Sequence, residues 1–302
     1  MSAAALLALA FTAHAAFGPQ KPYGVLLIGE GGDKNWAKTI EAAKKALGTE
    51  VPLEFAPGIP DAKTLQKSID KLEAAGVKKL VAVPLLVSSF GDTMDHVRYL
   101  LGIRETAVKA FLRGTRAPER TKSKAPVVLA KALDDHPLFV ELLSERALGL
   151  SRNPPKETLL LVESRPAASA AADEALDSAQ ALSERVRQKA GMAAAAAASL
   201  DIEGKQNERD LSTRALRKRV AELRKSGAVL VVPLELTPGL FGRRLKSAAE
   251  GLFAKYDGKT ILPDDRIAAW IKASAESASR LPEMRAFKEI PNATSRFQTG
   301  PR

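Results

Sequence analysis

An α/β fold of two similar lobes, each built on a parallel sheet, is what this sequence predicts, and three observations predict it. The first is a phrase used twice, LVAVPLLVSSFGD at Leu80–Asp92 and LVVPLELTPGLFGRR at Leu230–Arg244. Each passes from a β-branched apolar run through Val-Pro-Leu and small turn residues into a helical pattern, which reads as strand, turn and helix. The second is strict alternation of short apolar runs with helical patterns, the mark of βα units and a parallel sheet. The third is size, because 302 residues with 45% hydrophobic content can bury two ordinary cores. Ligands of such lobes bind outside the carboxyl ends of the strands. The turns Ser88–Asp92 and Thr237–Gly242 are therefore the first places to look for chemistry.

In the first lobe, Tyr23–Gly29 reads as a buried strand, followed by the Glu30-Gly31-Gly32-Asp33 turn and a helix over Trp36–Leu47 with Asp33 as its cap. Val51–Ala56 is a second strand. Asp61 caps a helix over Ala62–Ala75 that stops at Gly76. Leu80–Val87 is the third strand, with a helix from about Asp92 to Leu101. Val127–Ala132 and Pro137–Leu150 supply the fourth strand and helix.

The second lobe opens at Thr158–Val162 and continues with a helix over Ala168–Ala190. Ala193–Ile202 is expected as a strand in spite of its alanines, because it falls where a second strand belongs. A helix over Glu208–Lys225, a strand over Ala228–Leu234, a helix over Gly242–Tyr256, a strand over Thr260–Leu262 and a helix over Asp265–Ser277 complete it. The expected division is 1–15 signal peptide, 16–152 first lobe, 153–280 second lobe and 281–302 irregular tail.

Composition narrows the partners. The formal charge is +11 and the pI about 9.8, which favours an anionic partner of some kind. Aromatic content of 5%, with neither an RNA-type aromatic motif nor Cys/His finger spacing, argues against specific nucleic-acid recognition. The absence of cysteine excludes disulfides, thiolate metal sites and a cysteine nucleophile. Ala3–Ala10 is an apolar run too short to span a bilayer, no other candidate transmembrane segment exists, and Ala13-x-Ala15 has the spacing of a signal-peptidase site. Export to the periplasm is the expectation. No Lys or Arg precedes the run, so a cytoplasmic chain is the alternative.

Several residues could carry chemistry. Glu30, at a strand end, can ligate a divalent ion or act as a base, or can simply be a polar turn residue. Asp92 and His96 are four apart and share a helix face, and Asp92 with Asp95 also reads as a helix start. Asp134, Asp135 and His136 precede Pro137, where capping explains them better than metal binding. Phe90 offers a flat apolar surface or closes a cleft as an ordinary buried ring. Arg104–Lys124 is a basic stretch, either a flap or a solvated loop, and the basic residues between Arg214 and Lys225 read mostly as a solvated helix face. Gly31-Gly32 is too short for a phosphate loop, and no His/Ser/Asp set suggests a hydrolase.

The order and spacing of several motifs carry a family resemblance. They are Gly24-Val-Leu-Leu-Ile-Gly-Glu30-Gly at the first strand, Val83-Pro-Leu-Leu-Val-Ser-Ser-Phe90 at the third and Leu133-Asp-Asp-His136-Pro-Leu at the fourth. Leu159-Leu-Leu-Val-Glu-Ser164, Val232-Pro233-Leu and Leu262-Pro-Asp-Asp265 repeat the pattern. The chain resembles the class II tetrapyrrole metal chelatases, with sirohydrochlorin cobaltochelatase the nearest type. The resemblance implies two flavodoxin-like lobes facing across a cleft, a metal-inserting lyase activity, an anionic tetrapyrrole as partner, and a divalent metal such as cobalt, nickel, iron or zinc. It also implies a histidine at the end of the first strand in a Gly-His-Gly turn, and another after the third strand. Those positions read Glu30 and Phe90 in the first lobe, and Ser164 and Gly239 in the second. In this register Pro84 corresponds to Pro233 and Glu30 to Ser164.

Three readings follow from the resemblance. In one, a chelatase with reduced or lost insertion activity uses Glu30 and His96 in place of the histidine pair, with Glu30, Asp92 and His96 as metal donors. In the second, a non-catalytic carrier stacks an anionic tetrapyrrole on Phe90 and pairs its carboxylates with Arg98 and Arg243. In the third, the fold survives as a structural or interaction protein.

Overall fold

A computed structural model describes residues 22–58, 60–165, 169–256 and 258–288. The expected signal peptide over 1–15 and the end of the expected tail lie outside these. Strands β1 (Gly24–Gly29), β2 (Leu53–Pro57), β3 (Leu80–Pro84) and β4 (Val127–Leu129) form a parallel sheet in the order β2-β1-β3-β4. Strands β5 (Glu157–Ser164), β6 (Ala194–Leu200), β7 (Ala228–Pro233) and β8 (Lys255–Tyr256) form a second one in the order β6-β5-β7-β8. The two orders are the same, and so is the register. Ile28 lies opposite Pro84 and Val162 opposite Pro233, which aligns Glu30 with Ser164 as the sequence predicts.

Helices α1 (Lys34–Leu47), α2 (Ala62–Ala74), α3 (Asp92–Leu100) and α4 (Pro137–Leu150) alternate with the first set of strands. Helices α5 (Ser169–Ala190), α6 (Gln206–Leu223), α7 (Leu240–Ala249) and α8 (Asp265–Ser279) alternate with the second. Asp33 and Asp61 cap α1 and α2, each accepting from backbone N–H groups of the first turn. The second lobe has more chain before its third strand because α5 has 22 residues against 14 in α1, and α6 has 18 against 13 in α2.

Two expectations need correction. The helix expected to reach Tyr256 stops at Ala249, because Gly251 (φ 74°) and Phe253 (φ 54°) turn the chain left-handed. The freed segment makes the edge strand Lys255–Tyr256. The expected strand Thr260–Leu262 lies beyond it, where the Ile261 and Leu262 N–H groups donate to the carbonyls of Glu235 and Leu236. The alanine-rich β6 does form a strand. Seven consecutive residues pair with β5, and that tertiary ladder overrides the helical preference of alanine.

Alternation along the central strands sets up three layers of core. Val25 and Leu27 share one core with Leu159 and Leu161 of the other lobe, Leu26 and Ile28 face α2 and α3, and Leu160 and Val162 face α6 and α7. The shared core exists because the last helix of each lobe crosses over. α8 packs on α1 and β3, while α4 packs on α5 and β7. Residues 281–288, after α8, are irregular but docked on the first lobe's edge. Met284 N–H donates to Val127 O at 2.9 Å, and the N–H groups of Ala286 and Phe287 donate to Gly102 O.

Candidate functional site in the cleft between the lobes

The carboxyl ends of β1 and β3 approach the loop after β7 across the lobe boundary, where Trp36 Nε1–H donates to Thr237 Oγ1 at 3.3 Å. Glu30 follows β1 directly. Its carbonyl accepts from Gly58 N–H at 2.6 Å, tying the end of β1 to that of β2. The Glu30 side chain meets solvent, yet protein crowds it on most sides. Burial first, and the Glu203 carboxylate second, push its pKa up.

Glu235 lies two residues past the end of β7, and its carboxylate accepts from Gly242 N–H at 3.1 Å at the start of α7. Burial raises its pKa and Glu30 raises it further. The amides of Gly242 and Gly239 and the Arg243 guanidinium oppose this without reversing it. Carboxylates from both lobes therefore lie within electrostatic reach at the cleft, and each binds protons more readily than a free glutamate. Among the described residues no three His, Asp or Glu side chains are close enough together to hold a metal ion as a group.

Apolar surface flanks these acids. Phe90 is 42% exposed before α3 and Leu240 46% exposed at the start of α7, at adjacent positions of the two equivalent turns. The Phe90 turn is rigidly held. Ser89 N–H and Oγ–H donate to Asp134 at 2.6 and 2.7 Å, Ala132 N–H donates to Ser89 Oγ at 2.9 Å, and Phe90 N–H donates to Ser88 Oγ at 3.0 Å. Arg98 belongs to this support. One of its nitrogens donates to Ser89 O at 3.1 Å and the other to Asp95 at 2.7 Å. Arg243, on the opposite turn, is exposed.

The other sequence candidates lie as follows. His96 is 3% exposed and stacks on Phe111, with ring centroids 4.0 Å apart. Burial lowers its pKa against the opposing effects of the Pro60 backbone and Asp61, so it sits between α3 and the Arg104–Lys124 segment. Asp92 is half-buried at the start of α3. Asp134 braces the Phe90 turn, Asp135 pairs with Arg185, and His136 Nδ1 accepts from Leu138 N–H, so this trio has the capping and turn role expected of it. Within the Arg104–Lys124 segment Arg113 and Arg116 are exposed, whereas Arg120 is 6% exposed and lies 4.7 Å from the Tyr99 ring centre.

Sequence reasoning missed Glu203, Glu235 and the buried Glu163. Glu235 could have been found by overlaying the repeated phrases, where it stands opposite Leu86. Glu163 is an acid that directly follows the apolar run Leu159–Val162 within β5. Nothing in the local pattern marks Glu203.

Fold and cleft together define a two-lobed α/β protein of chelatase architecture. Residues 24–149, from β1 into α4, match the CbiX family model. No curated protein matches the chain. SirB from Bacillus subtilis with Fe3+ superposes with a TM-score of 0.59 at 12% identity, covering 86% of this chain and 96% of that one. The sirohydrochlorin chelatase SirB from Bacillus subtilis subspecies spizizenii in complex with cobalt gives 0.59 at 10% identity, covering 89% and 100%. A multi-domain protein from Deinococcus radiodurans with structural similarity to chelatases gives 0.51 at 17% identity, covering 87% of this chain and 56% of that one. The domain match spans the first lobe, and the shared folds extend the chelatase architecture to both lobes.

Proposed function

We propose that this chain handles a divalent metal ion and an anionic tetrapyrrole in the cleft between its lobes, with carboxylates in the place of the imidazoles that the family resemblance implies. The observation that carries the reading is the approach of Glu30 and Glu235 from opposite lobes, with both pKa values raised. Insertion of a divalent ion into a tetrapyrrole releases two N–H protons, and the ion takes their place on the ring nitrogens. A carboxylate pair of raised proton affinity accepts those protons more readily than free glutamates would and offers hard oxygen donors to the incoming ion. His96 is packed against Phe111, so the second donor is placed at Glu235. Phe90 and Leu240 give the ring an apolar seat, and Arg243 pairs with a ring carboxylate.

Isothermal titration with cobalt, nickel and zinc, on the native chain and on Glu30→Gln and Glu235→Gln, tests the donor pair. Loss of at least tenfold in affinity in both variants is expected, and unchanged binding would put the site elsewhere. The carrier reading is favoured by Phe90, an exposed aromatic where the resemblance expects a donor. Absorbance of sirohydrochlorin with added cobalt separates the two: a spectral change requiring metal marks insertion, and one without metal marks binding alone.

A further inference from the structure

We infer that the outer face of α6, with the neighbouring loop that carries Phe253, is a docking surface for an anionic phospholipid membrane. The two most exposed large apolar side chains among the described residues are Phe253, 84% exposed, and Leu211, 58% exposed. Leu211 lies on α6, and Phe253 in the loop after α7 that Arg217 ties to the same helix. Phe253 has φ 54°, a left-handed backbone that bulky side chains seldom adopt, and its ring packs only beneath the Arg224 guanidinium, 5.3 Å from the ring centre. A ring so placed contributes almost nothing to the core of the second lobe.

At about 100° per residue, Leu211, Arg214 and Lys218 fall on the exposed side of α6, away from its buried Leu216 and Val220, Arg217 flanks them, and Arg224 and Lys225 follow in the short turn that continues the helix. Asp210, engaged by Gln206 at 2.7 Å, and the exposed Glu222 are the acids beside these cations. Among the described residues Arg214, Lys218, Arg224 and Lys225 have no carboxylate partner. Arg217 donates to the carbonyls of Ala248 and Glu250 at 2.9 and 3.0 Å, fixing the helix to the Phe253 loop. Unpaired cations along a helix of about 27 Å, with an exposed phenyl ring beside one end and a leucine toward the other, match the chemistry of an anionic lipid interface. The cations meet headgroup phosphates, and the phenyl enters the acyl boundary. The acidic cleft of the same chain repels such a surface, so the docking face is distinct from it.

The full chain is sedimented with vesicles of phosphatidylglycerol and phosphatidylcholine and with vesicles of phosphatidylcholine alone. Binding to the anionic vesicles only, weakening as salt rises, is expected. Lys218→Glu combined with Lys225→Glu should lower partitioning about tenfold, and Phe253→Ser should lower it several-fold at every salt concentration. Phe253→Trp supplies an independent readout. The native tryptophans, Trp36 and Trp270, are each 1% exposed, so a blue shift of emission on adding anionic vesicles reports the new ring. No sedimentation with anionic vesicles, binding indifferent to Phe253→Ser, or tight binding to nucleic acid in its place would overturn the inference.

Discussion

Glu163 occupies in the second lobe the position that Gly29 holds in the first: each follows the central-strand residue, Val162 or Ile28, that lies opposite a β-strand proline. Gly29 is required because the Trp36 ring lies where its Cβ would stand. Glu163 instead turns a carboxyl into a protein interior where it is 6% exposed, with Oε1 lacking a hydrogen-bond partner, and burial pushes its pKa up to about 7. Unfolded, it titrates near 4.5. Below that pH the group is protonated in both states and adds no pH dependence. Between there and pH 7 the unfolded chain releases a proton that the folded chain retains, so stability falls by on the order of 2–3 kcal/mol and then levels off. Urea denaturation of Glu163→Gln at pH 5 and pH 8 should show this fall removed. Parallel pH profiles for the variant and the native chain would refute the assignment.

Much of the fold was legible because its signals are local. Asp33 and Asp61 announce helix starts, and the two Val-Pro-Leu phrases announce equivalent strands. The crossing of α4 and α8 was not legible, since periodicity shows that Phe139 or Ile271 faces a core but not which sheet supplies it. The end of α7 was hidden for a related reason: Phe253 looks like another apolar helix position, and only its left-handed backbone excludes it. In the cleft, Glu30 and Phe90 stand out at strand ends. Glu203 and Glu235 come together with Glu30 only through the docking of the lobes.

Glu157 makes the opposite prediction to Glu163. Burial alone would raise its pKa, but Lys255 at 2.6 Å, the Ser151 hydroxyl and the N–H groups of Arg152 and Asn153 hold it at about 2. This knot secures the junction between α4 and β5 and the edge strand β8. Its contribution is full above the unfolded value of 4.5 and is lost as pH falls toward 2. Glu157→Gln should cost about 2 kcal/mol at pH 7 and progressively less below pH 4.5, measured by chemical denaturation. A cost that stays constant with pH would show that packing, not charge, is responsible.

Arg285 fastens the segment after α8 to the basic segment of the first lobe. It is 7% exposed and donates to the carbonyls of Thr121 and Ser123. Arg285→Ala leaves those carbonyls without this donor and empties a buried side-chain position, so a loss of about 2 kcal/mol is expected. Hydrogen exchange supplies the discriminating measurement. The amides of Ala286 and Phe287, bonded to Gly102 O, should exchange much faster in the variant, whereas those of β5 should change only with global stability. Uniform acceleration in both regions would mean that the strap is not a separate unit.

The cleft itself makes a mixed offer to a flat polyanion. Glu30, Glu203 and Glu235 oppose negative charge, Arg243 attracts it, and Arg98 is already engaged by Asp95 and the Ser89 carbonyl. Apolar contact with Phe90 and Leu240 should therefore carry most of the affinity for a tetrapyrrole, leaving only a small salt dependence. Screening acts on charge over a Debye length of about 10 Å at 0.1 M but leaves ring contact untouched. Absorbance titration with sirohydrochlorin at low and high salt should give affinities within a few-fold of each other, while Phe90→Ala and Leu240→Ala should each weaken binding about tenfold at both. Arg243→Ala should have a smaller effect that disappears at high salt. If Phe90→Ala and Leu240→Ala bind like the native chain, the ring does not rest on these turns, and the acidic cleft is a site for the metal alone.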